Sequence, residues 1–255
     1  PNKANEIARR ANNYLAEQIA LRPDRFMGFA ALPMQDPEMA AAELRRCVEE
    51  LGFCGALVNG FSQVVDPESA VYYDGEDYDD FWAEVARLDK PFYLHPRNPL
   101  MGMAQIYRDN NWLLGPTWAF GQETAVHALR LLGSGIFDRH PNIQLIIGHM
   151  GEGIPISLWR IDNRNAWTNT PHNNRAKRTI ADYFRENVYI TTSGNFHTPS
   201  LNGAIAEIGV DRVLFSADWP FENMDHAATW FDNADIDEVT RRKVGRDNCV
   251  RLFGI

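Results

Sequence analysis

Short apolar runs that each stop on a polar residue recur along the chain, and they constrain the fold more than any other feature. "FYLHPRNP" ends its apolar run on His95, "LIIGHMGEG" on His149 and "VLFSADWPFE" on Asp218. Runs rich in β-branched and aromatic residues, bounded by Gly, Pro, Asn or Ser, are typical of strands buried on both faces, as in parallel sheets. The sequence predicts six such strands, at 25–33, 54–60, 91–96, 143–149, 188–194 and 212–220.

Helical patterns separate these runs. The first segment, "NEIARRANNYLAEQIALRP", places Ile7, Ala11, Tyr14, Leu15 and Ile19 roughly on one helix face. Alternation of strands and helices predicts a parallel sheet with right-handed crossovers. Further helices are predicted at 37–52, 78–89, 121–137, 179–187, 199–209 and 236–253.

The number and order of these elements predict the fold class. A closed (β/α)8 barrel has eight strands, two more than the six found. An open doubly wound sheet accepts six, but it usually begins with a strand and a glycine-rich turn, whereas this chain begins with a helix and has no G-x-G-x-x-G. We therefore predict an α/β protein with one domain, 1–255. It is a TIM-like (β/α)8 barrel without its first one or two strands, which implies a missing N-terminal segment.

Composition excludes several classes of partner. The net charge of −9 and pI near 5.3 argue against nucleic-acid binding, because an acidic surface repels phosphates. No apolar run is long enough for a transmembrane helix, and the N-terminus lacks the apolar core of a secretory signal, so we expect no membrane association. Three cysteines without a C-x-x-C pair are typical of a reducing compartment, and we expect a cytoplasmic protein.

Polar residues at the strand ends are the candidate site. In a (β/α)8 barrel the active site lies at the C-terminal ends of the strands. Two imidazoles and a carboxylate from different strand ends suit a divalent metal ion, which needs nitrogen and oxygen ligands held by rigid elements. The residues found at these positions are Asn59, His95, His149 with Glu152, Ser193 and Asp218.

Each candidate also has a structural interpretation. A single histidine at a strand end is often an ordinary hydrogen-bonded residue, and Asp218 could cap the next helix. Glu152 could orient His149, as carboxylates beside metal sites do, or face solvent. The other histidines have weaker contexts: a helix for His127, a surface turn for His140, a polar loop for His172, and loops near strand ends for His197 and His226.

Longer motifs resemble a known family. "FYLHPRNP", "GPTWAFGQETAVHALRLLGSGIFD", "IIGHMGEGIPISLWRIDNRNAW", "YITTSGNF" and "RVLFSADWPFENMDHAATWF" resemble the metal-dependent decarboxylases of the amidohydrolase superfamily, in particular the 2,6- and 2,3-dihydroxybenzoate decarboxylases. The resemblance extends from about Ala8 onward. It implies a distorted barrel in which His95 and Asp218 are metal ligands, with His95 also beside the substrate, and in which His149 is catalytic with Glu152 as its carboxylate partner.

The same resemblance implies further site residues. Phe120 would wall the ring pocket, and Arg160 would lie near the substrate or a subunit interface. Asp218 and His149 are rival proton donors. Members of the family also use an E-x-E or E-x-H pair at the end of the first strand, and no such pair occurs before Phe26. This absence agrees with the predicted loss of the first one or two strands.

The function that this resemblance implies is non-oxidative, reversible decarboxylation of an ortho-hydroxybenzoate such as 2,6- or 2,3-dihydroxybenzoate. It implies a small aromatic acid as substrate, one divalent ion, Zn²⁺ or Mn²⁺ with Mg²⁺ as a further option, no organic cofactor, and a homodimer or homotetramer. One rival is a lactone or amide hydrolase on the same barrel, with metal-activated water and Asp218 as general base. The other is a non-catalytic barrel that acts as a binding or scaffold subunit.

Overall fold

The structure is a computed structural model that describes residues 2–64, 66–167 and 174–255. Within these described residues, one sheet holds six parallel strands whose spatial order equals their chain order. All six predicted strands are confirmed, and each is shorter than its apolar run. The strands are β1 (Phe29–Ala30), β2 (Gly55–Asn59), β3 (Phe92–His95), β4 (Leu145–Ile147), β5 (Val188–Thr191) and β6 (Val213–Leu214).

Helices connect successive strands. They are α1 (Asn2–Ala20), α2 (Pro37–Glu49), α3 (Asp79–Leu88), α4 (Ala119–Gly133), α5 (Ile136–Arg139), α6 (Leu158–Trp167), α7 (Ile180–Asn187), α8 (Thr198–Ile208), α9 (Met224–Asn233), α10 (Glu238–Arg242) and α11 (Asn248–Phe253). Within the described part of the chain, no helix has the length and apolarity that a bilayer crossing requires.

Several helix predictions need correction. The segment predicted as one helix at 121–137 divides into α4 and α5, because Gly135 adopts a left-handed φ of 81°. The segment at 236–253 contains a π-helical turn between α10 and α11. Helices α6 and α9 were not predicted, although Asn223 gives α9 an N-cap by accepting a hydrogen bond from the amide of His226.

The predicted apolar face of α1 is wrong in part. Ile7, Ala11 and Tyr14 are exposed, whereas Asn12 is buried. The Asn12 side chain exchanges hydrogen bonds of 2.9 Å with the backbone of Ala31 and donates another of 2.9 Å to Glu43. These bonds fix the face that α1 turns inward, because a buried amide must find partners for its donors and acceptor.

The sheet places the C-terminal ends of its strands along one edge. Asn59 at the end of β2 stands opposite His95 at the end of β3. Strands β1 and β6 are the edges of the described sheet, which does not close. The loops that carry the candidate residues therefore converge above the C-terminal edge.

The three cysteines are unpaired, and Cys47 and Cys54 are buried.

Candidate active site

One ring nitrogen of His95 is already engaged in hydrogen bonds. Its Nδ1 lies 2.9 Å from Oδ1 of Asn59 and 3.1 Å from the carbonyl oxygen of Pro96. Both partners are acceptors, so Nδ1 carries the hydrogen and Nε2 keeps its lone pair. This is the arrangement in which a histidine is oriented for metal binding by its second nitrogen.

The loop after β4 holds a second imidazole. Nδ1 of His149 lies 2.6 Å from Oε1 of Glu152, three residues later. His149, Met150 and Glu152 all have left-handed backbones, with φ of 48°, 60° and 52°. Such conformations cost non-glycine residues free energy and persist only where surrounding contacts impose them. The loop is therefore strained in a way that aims the His149 ring.

Asp218 follows β6 and meets this ring from the other side. Its Oδ2 lies 3.5 Å from Nε2 of His149, and its own φ is 69°. Six non-glycine residues in the described chain have positive φ, and four of them, His149, Met150, Glu152 and Asp218, belong to this cluster. Such strain collects at functional sites.

Gly194, beyond β5, leaves room for the pair. A Cβ at this position would lie 3.0 Å from Cδ2 of His149 and 3.5 Å from Oδ2 of Asp218, and its φ is 60°. Any larger residue would be strained in its backbone and would press on the imidazole. The sequence "TTSGNF" therefore places glycine where the chain passes closest to the two side chains.

A cavity of about 600 Å³ opens above the cluster. His149, Glu152, Asp218 and Glu222 contribute its ionisable groups, and Phe120 and Ile154 contribute apolar wall. Small-molecule sites typically combine such a wall with a few convergent polar groups in a volume of about 300–1,000 Å³. The cavity therefore has the size and the mixed polar and apolar lining of a small-molecule site.

The two imidazoles have opposite electrostatic surroundings. Burial, followed by the nearby charge of His149, lowers the pKa of His95. Burial also opposes protonation of His149, but the hydrogen bond and charge of Glu152, together with Asp218, outweigh it and raise the pKa of His149. His95 is thus suited to remain a neutral ligand and His149 to carry a proton.

The nitrogen and oxygen atoms at the site are of the types that bind divalent metal ions. Nε2 of His95 and the carboxylate of Asp218 are ligands that Zn²⁺ and Mn²⁺ accept. Across residues 2–64, 66–167 and 174–255, no group of three or more His, Cys, Asp or Glu side chains has metal-site geometry. His95 and Asp218 therefore remain predicted ligands and supply only part of a coordination shell.

The other predicted residues have distinct positions. Phe120 lines the cavity, whereas Arg160 is exposed on α6 and does not line it, so the role of Arg160 stays a prediction. Ser193 is buried beneath the His149 loop. His127 is buried within α4, His140 is half-buried after α5, His197 and His226 are exposed, and His172 lies outside the described residues.

Some residues near the site were not singled out from the sequence. Glu222 lines the cavity, four positions after Asp218 in the same motif. Its position in that motif could have identified it as a candidate site residue from the sequence. Tyr93 and Thr191 bring hydroxyl groups together beneath the cavity, 3.3 Å apart. Their inward direction is fixed by the strand register, which the sequence alone does not give.

Comparison with known proteins identifies the family. A family model described as Amidohydrolase matches residues 1–255. The chain belongs to the amidohydrolase family. The curated gamma-resorcylate decarboxylase of Polaromonas sp. (strain JS666) is 66% identical over 253 residues, which is 98% of this chain and 77% of that protein. The resemblance inferred from the motifs is thus confirmed.

Solved amidohydrolase structures agree with this fold. A crystal structure of 2,6-dihydroxybenzoate decarboxylase in complex with 2,6-dihydroxybenzoate matches with a TM-score of 0.97 and 62% identity, covering 100% of this chain and 78% of that one. A dihydroxybenzoic acid decarboxylase from Polaromonas sp. JS666, with bound manganese and the inhibitor 2-nitroresorcinol, matches with a TM-score of 0.96 and 64% identity over 99% of this chain and 76% of that one. The parallel sheet described here is consistent with the TIM-like barrel predicted from the sequence.

Proposed function

We propose that this amidohydrolase catalyses the metal-dependent, non-oxidative decarboxylation of 2,6-dihydroxybenzoate to resorcinol and CO₂. The observation that carries the proposal is 66% identity, over 98% of the chain, to a gamma-resorcylate decarboxylase. The cavity that joins Phe120 to the His149, Glu152 and Asp218 cluster supports it. No observation favours the lactone or amide hydrolase.

The chemical difficulty of the reaction defines what the site must do. Direct loss of CO₂ from the ring would leave an aryl anion whose electron pair has no resonance sink. Protonation of the ring carbon that bears the carboxylate avoids this, because the electron pair of the breaking bond then restores aromaticity. The site must therefore deliver a proton to a ring carbon and hold the carboxylate in place.

His95 and Asp218 are the residues proposed to hold the metal ion. When bound, a divalent ion would act as a Lewis acid that polarises the ring of the substrate and stabilises its negative charge. Asn59 keeps the ring of His95 aimed by bonding its Nδ1. Manganese is bound in the Polaromonas relative, and we propose Mn²⁺ or Zn²⁺ here, with Mg²⁺ as a further option.

The His149–Asp218 pair is the proposed source of the proton. Glu152 raises the pKa of His149 and so favours its charged form, and Nε2 of that ring lies 3.5 Å from Oδ2 of Asp218. The proton passes from this pair to the ring carbon, the carbon–carboxylate bond breaks, and CO₂ departs. The apolar side chains of Phe120 and Ile154 would hold the flat ring and keep water from the carbon that is protonated.

Exposed aromatic residues support a homo-oligomer. Trp159 and Trp167 on α6 and Phe221 after Asp218 are each at least 74% exposed. Apolar surface of this kind marks protein interfaces. We propose a homodimer or homotetramer in which α6, with Arg160, faces another subunit.

We also propose that the chain forms a single domain. The unpaired cysteines support a cytoplasmic location, which we propose as well.

A decarboxylation assay tests the function. Purified protein would be given 2,6-dihydroxybenzoate, 2,3-dihydroxybenzoate or a simple aromatic lactone, with Mn²⁺, with Zn²⁺ or with a chelator. We expect metal-dependent release of resorcinol from the 2,6-isomer. Release of catechol alone would change the substrate, and lactone hydrolysis without resorcinol release would replace decarboxylase with hydrolase. Failure of all three substrates with bound metal would favour the non-catalytic interpretation.

A further inference from the structure

A chain of three hydroxyl groups runs beneath the cavity and is not used in the mechanism above. Oη of Tyr93 on β3 lies 3.3 Å from Oγ1 of Thr191 on β5, which lies 2.7 Å from Oγ of Ser193. Thr191 and Ser193 are buried. The chain passes under the end of β4, since a Cβ on Gly148 would lie 3.0 Å from Oη of Tyr93 and 3.2 Å from Oγ of Ser193.

The upper end of this chain meets the backbone of His149. The amide of His149 donates a hydrogen bond of 3.1 Å to Oγ of Ser193. This amide leads into two consecutive left-handed residues, with φ of 48° at His149 and 60° at Met150. Such backbone conformations are unfavourable for non-glycine residues, so this one depends on surrounding contacts that impose it.

His149 is thereby fixed at two points. Glu152 holds Nδ1 of the ring at 2.6 Å, and Ser193 holds the amide at 3.1 Å. Together these bonds set where Nε2 stands relative to Asp218. Ser193 does not line the cavity, so it acts on the site through His149.

We propose that Ser193 is a positioning residue for His149, with its hydroxyl held in place by Thr191 and Tyr93. The inference rests on the proposed decarboxylation. The ligand His95 lies on a different strand and has its own partners, Asn59 and Pro96. Loss of the Ser193 hydroxyl should therefore disturb proton delivery while leaving metal and substrate binding in place.

The test is Ser193→Ala, measured with 2,6-dihydroxybenzoate and saturating Mn²⁺. We expect kcat to fall about 10-fold. KM and bound manganese should stay within about twofold of the wild type, because the lost hydrogen bond affects proton transfer and not the binding of substrate or metal. Ser134→Ala is the matched control. The Ser134 hydroxyl also accepts a backbone hydrogen bond, 3.2 Å from the amide of Ile136, but it lies outside the cavity. It should leave kcat unchanged.

Two further variants make the outcome decisive. Ser193→Thr keeps the hydroxyl and should recover most of kcat, whereas Tyr93→Phe removes the far end of the chain and should lower kcat less than Ser193→Ala. If Ser193→Ala does not fold, Ser193→Cys, close in size and a weaker acceptor, should show the same selective loss of kcat.

Equal kcat values in Ser193→Ala and Ser134→Ala would overturn the proposal, as would parallel changes in KM and metal content. A wild-type protein that releases no resorcinol would instead refute the proposed function. In that case crystal structures of the wild type and Ser193→Ala would decide the positioning role from the φ and ring position of His149. An unchanged ring would overturn it.

Discussion

Nδ1 of His149 lies 2.6 Å from Oε1 of Glu152, close enough for a charge-assisted hydrogen bond. Glu152 is almost buried, with 7% of its side chain exposed, so water screens its charge weakly. Burial is the largest single influence on His149 and opposes its protonation, yet the bond to Glu152 and the two carboxylates outweigh it and raise the pKa of His149. The carboxylates therefore favour the protonated form of His149 beside the cavity.

Replacing Glu152 by Gln should move the pH dependence of turnover. His149 must be protonated to supply a proton, so kcat declines as pH rises through its pKa. Without the carboxylate that pKa falls, the decline begins at a lower pH, and kcat near pH 7 drops about 10-fold or more. A kcat–pH profile measures this. Glu222→Gln removes a carboxylate from the same cavity without removing the His149 bond, so it should shift the profile less. Equal shifts would contradict the role of the hydrogen bond.

Separate substitutions of His149 and Asp218 should divide proton delivery from metal binding. His149→Asn should keep its manganese and lose about 100-fold or more in kcat, the usual contribution of a positioned acid. Asp218→Asn should weaken manganese binding, because an amide replaces a charged ligand, and should stay below wild-type turnover even at saturating Mn²⁺. Metal analysis beside steady-state kinetics gives both quantities. Normal turnover in metal-replete His149→Asn would exclude His149 as donor, and in Asp218→Asn it would exclude Asp218.

The sequence predicted the parallel sheet and the candidate site residues for one physical reason. A buried parallel strand is apolar over its length, so a polar residue at its end is conspicuous, and parallel strands bring those ends to one edge. His95 ends β3, whereas His149 and Asp218 lie in the loops that follow β4 and β6. The pattern of apolar and polar residues along a strand can be recognised from consecutive residues, without knowing which distant residues the strand contacts.

Features that depend on distant partners were not predictable. The inward face of α1 is set by Asn12, whose amide bonds to Ala31 and Glu43, residues far along the chain. Helical periodicity alone predicted that the apolar Ile7 and Tyr14, and not Asn12, would face inward. The left-handed backbone of His149 likewise depends on tertiary contacts, because only a few per cent of non-glycine residues adopt positive φ.

Gly194 should be intolerant of a side chain for reasons that Gly52 does not share. Both have positive φ, 60° and 71°, but a Cβ at Gly194 would lie 3.0 Å from the His149 ring, whereas nothing lies within 4 Å of one at Gly52. Gly194→Ala and Gly52→Ala should each lose about 1 kcal/mol of stability from the backbone, and Gly194→Ala should lose more because of its contact with the imidazole. Only Gly194→Ala should lower kcat, about 10-fold or more. Urea unfolding and kinetics on both variants separate the two effects, and an equal kcat in both would refute the contact.

His127 should make the protein sensitive to mild acid. Its Nε2 accepts a hydrogen bond of 3.1 Å from the amide of Tyr73, and its Nδ1 is the one fully buried side-chain polar atom in the described chain that has no partner. Burial, reinforced by the charge of Arg130, lowers the pKa of His127 to about 3. An unfolded histidine titrates near 6.5. Between these values the unfolded chain binds a proton that the folded chain refuses, so the free energy of unfolding falls as pH falls, by about 1.4 kcal/mol per pH unit.

His127→Gln should remove this dependence, because a glutamine can accept the Tyr73 amide through Oε1 and does not titrate. Urea unfolding at several pH values between about 7 and about 5 measures the difference. Below about pH 6.5 the wild type should lose stability more steeply than the variant, by a slope that corresponds to one proton. His226→Gln alters an exposed histidine and should keep the wild-type slope. Parallel slopes in the wild type and His127→Gln would show that His127 is protonated in the folded protein, and would contradict its neutral, buried state.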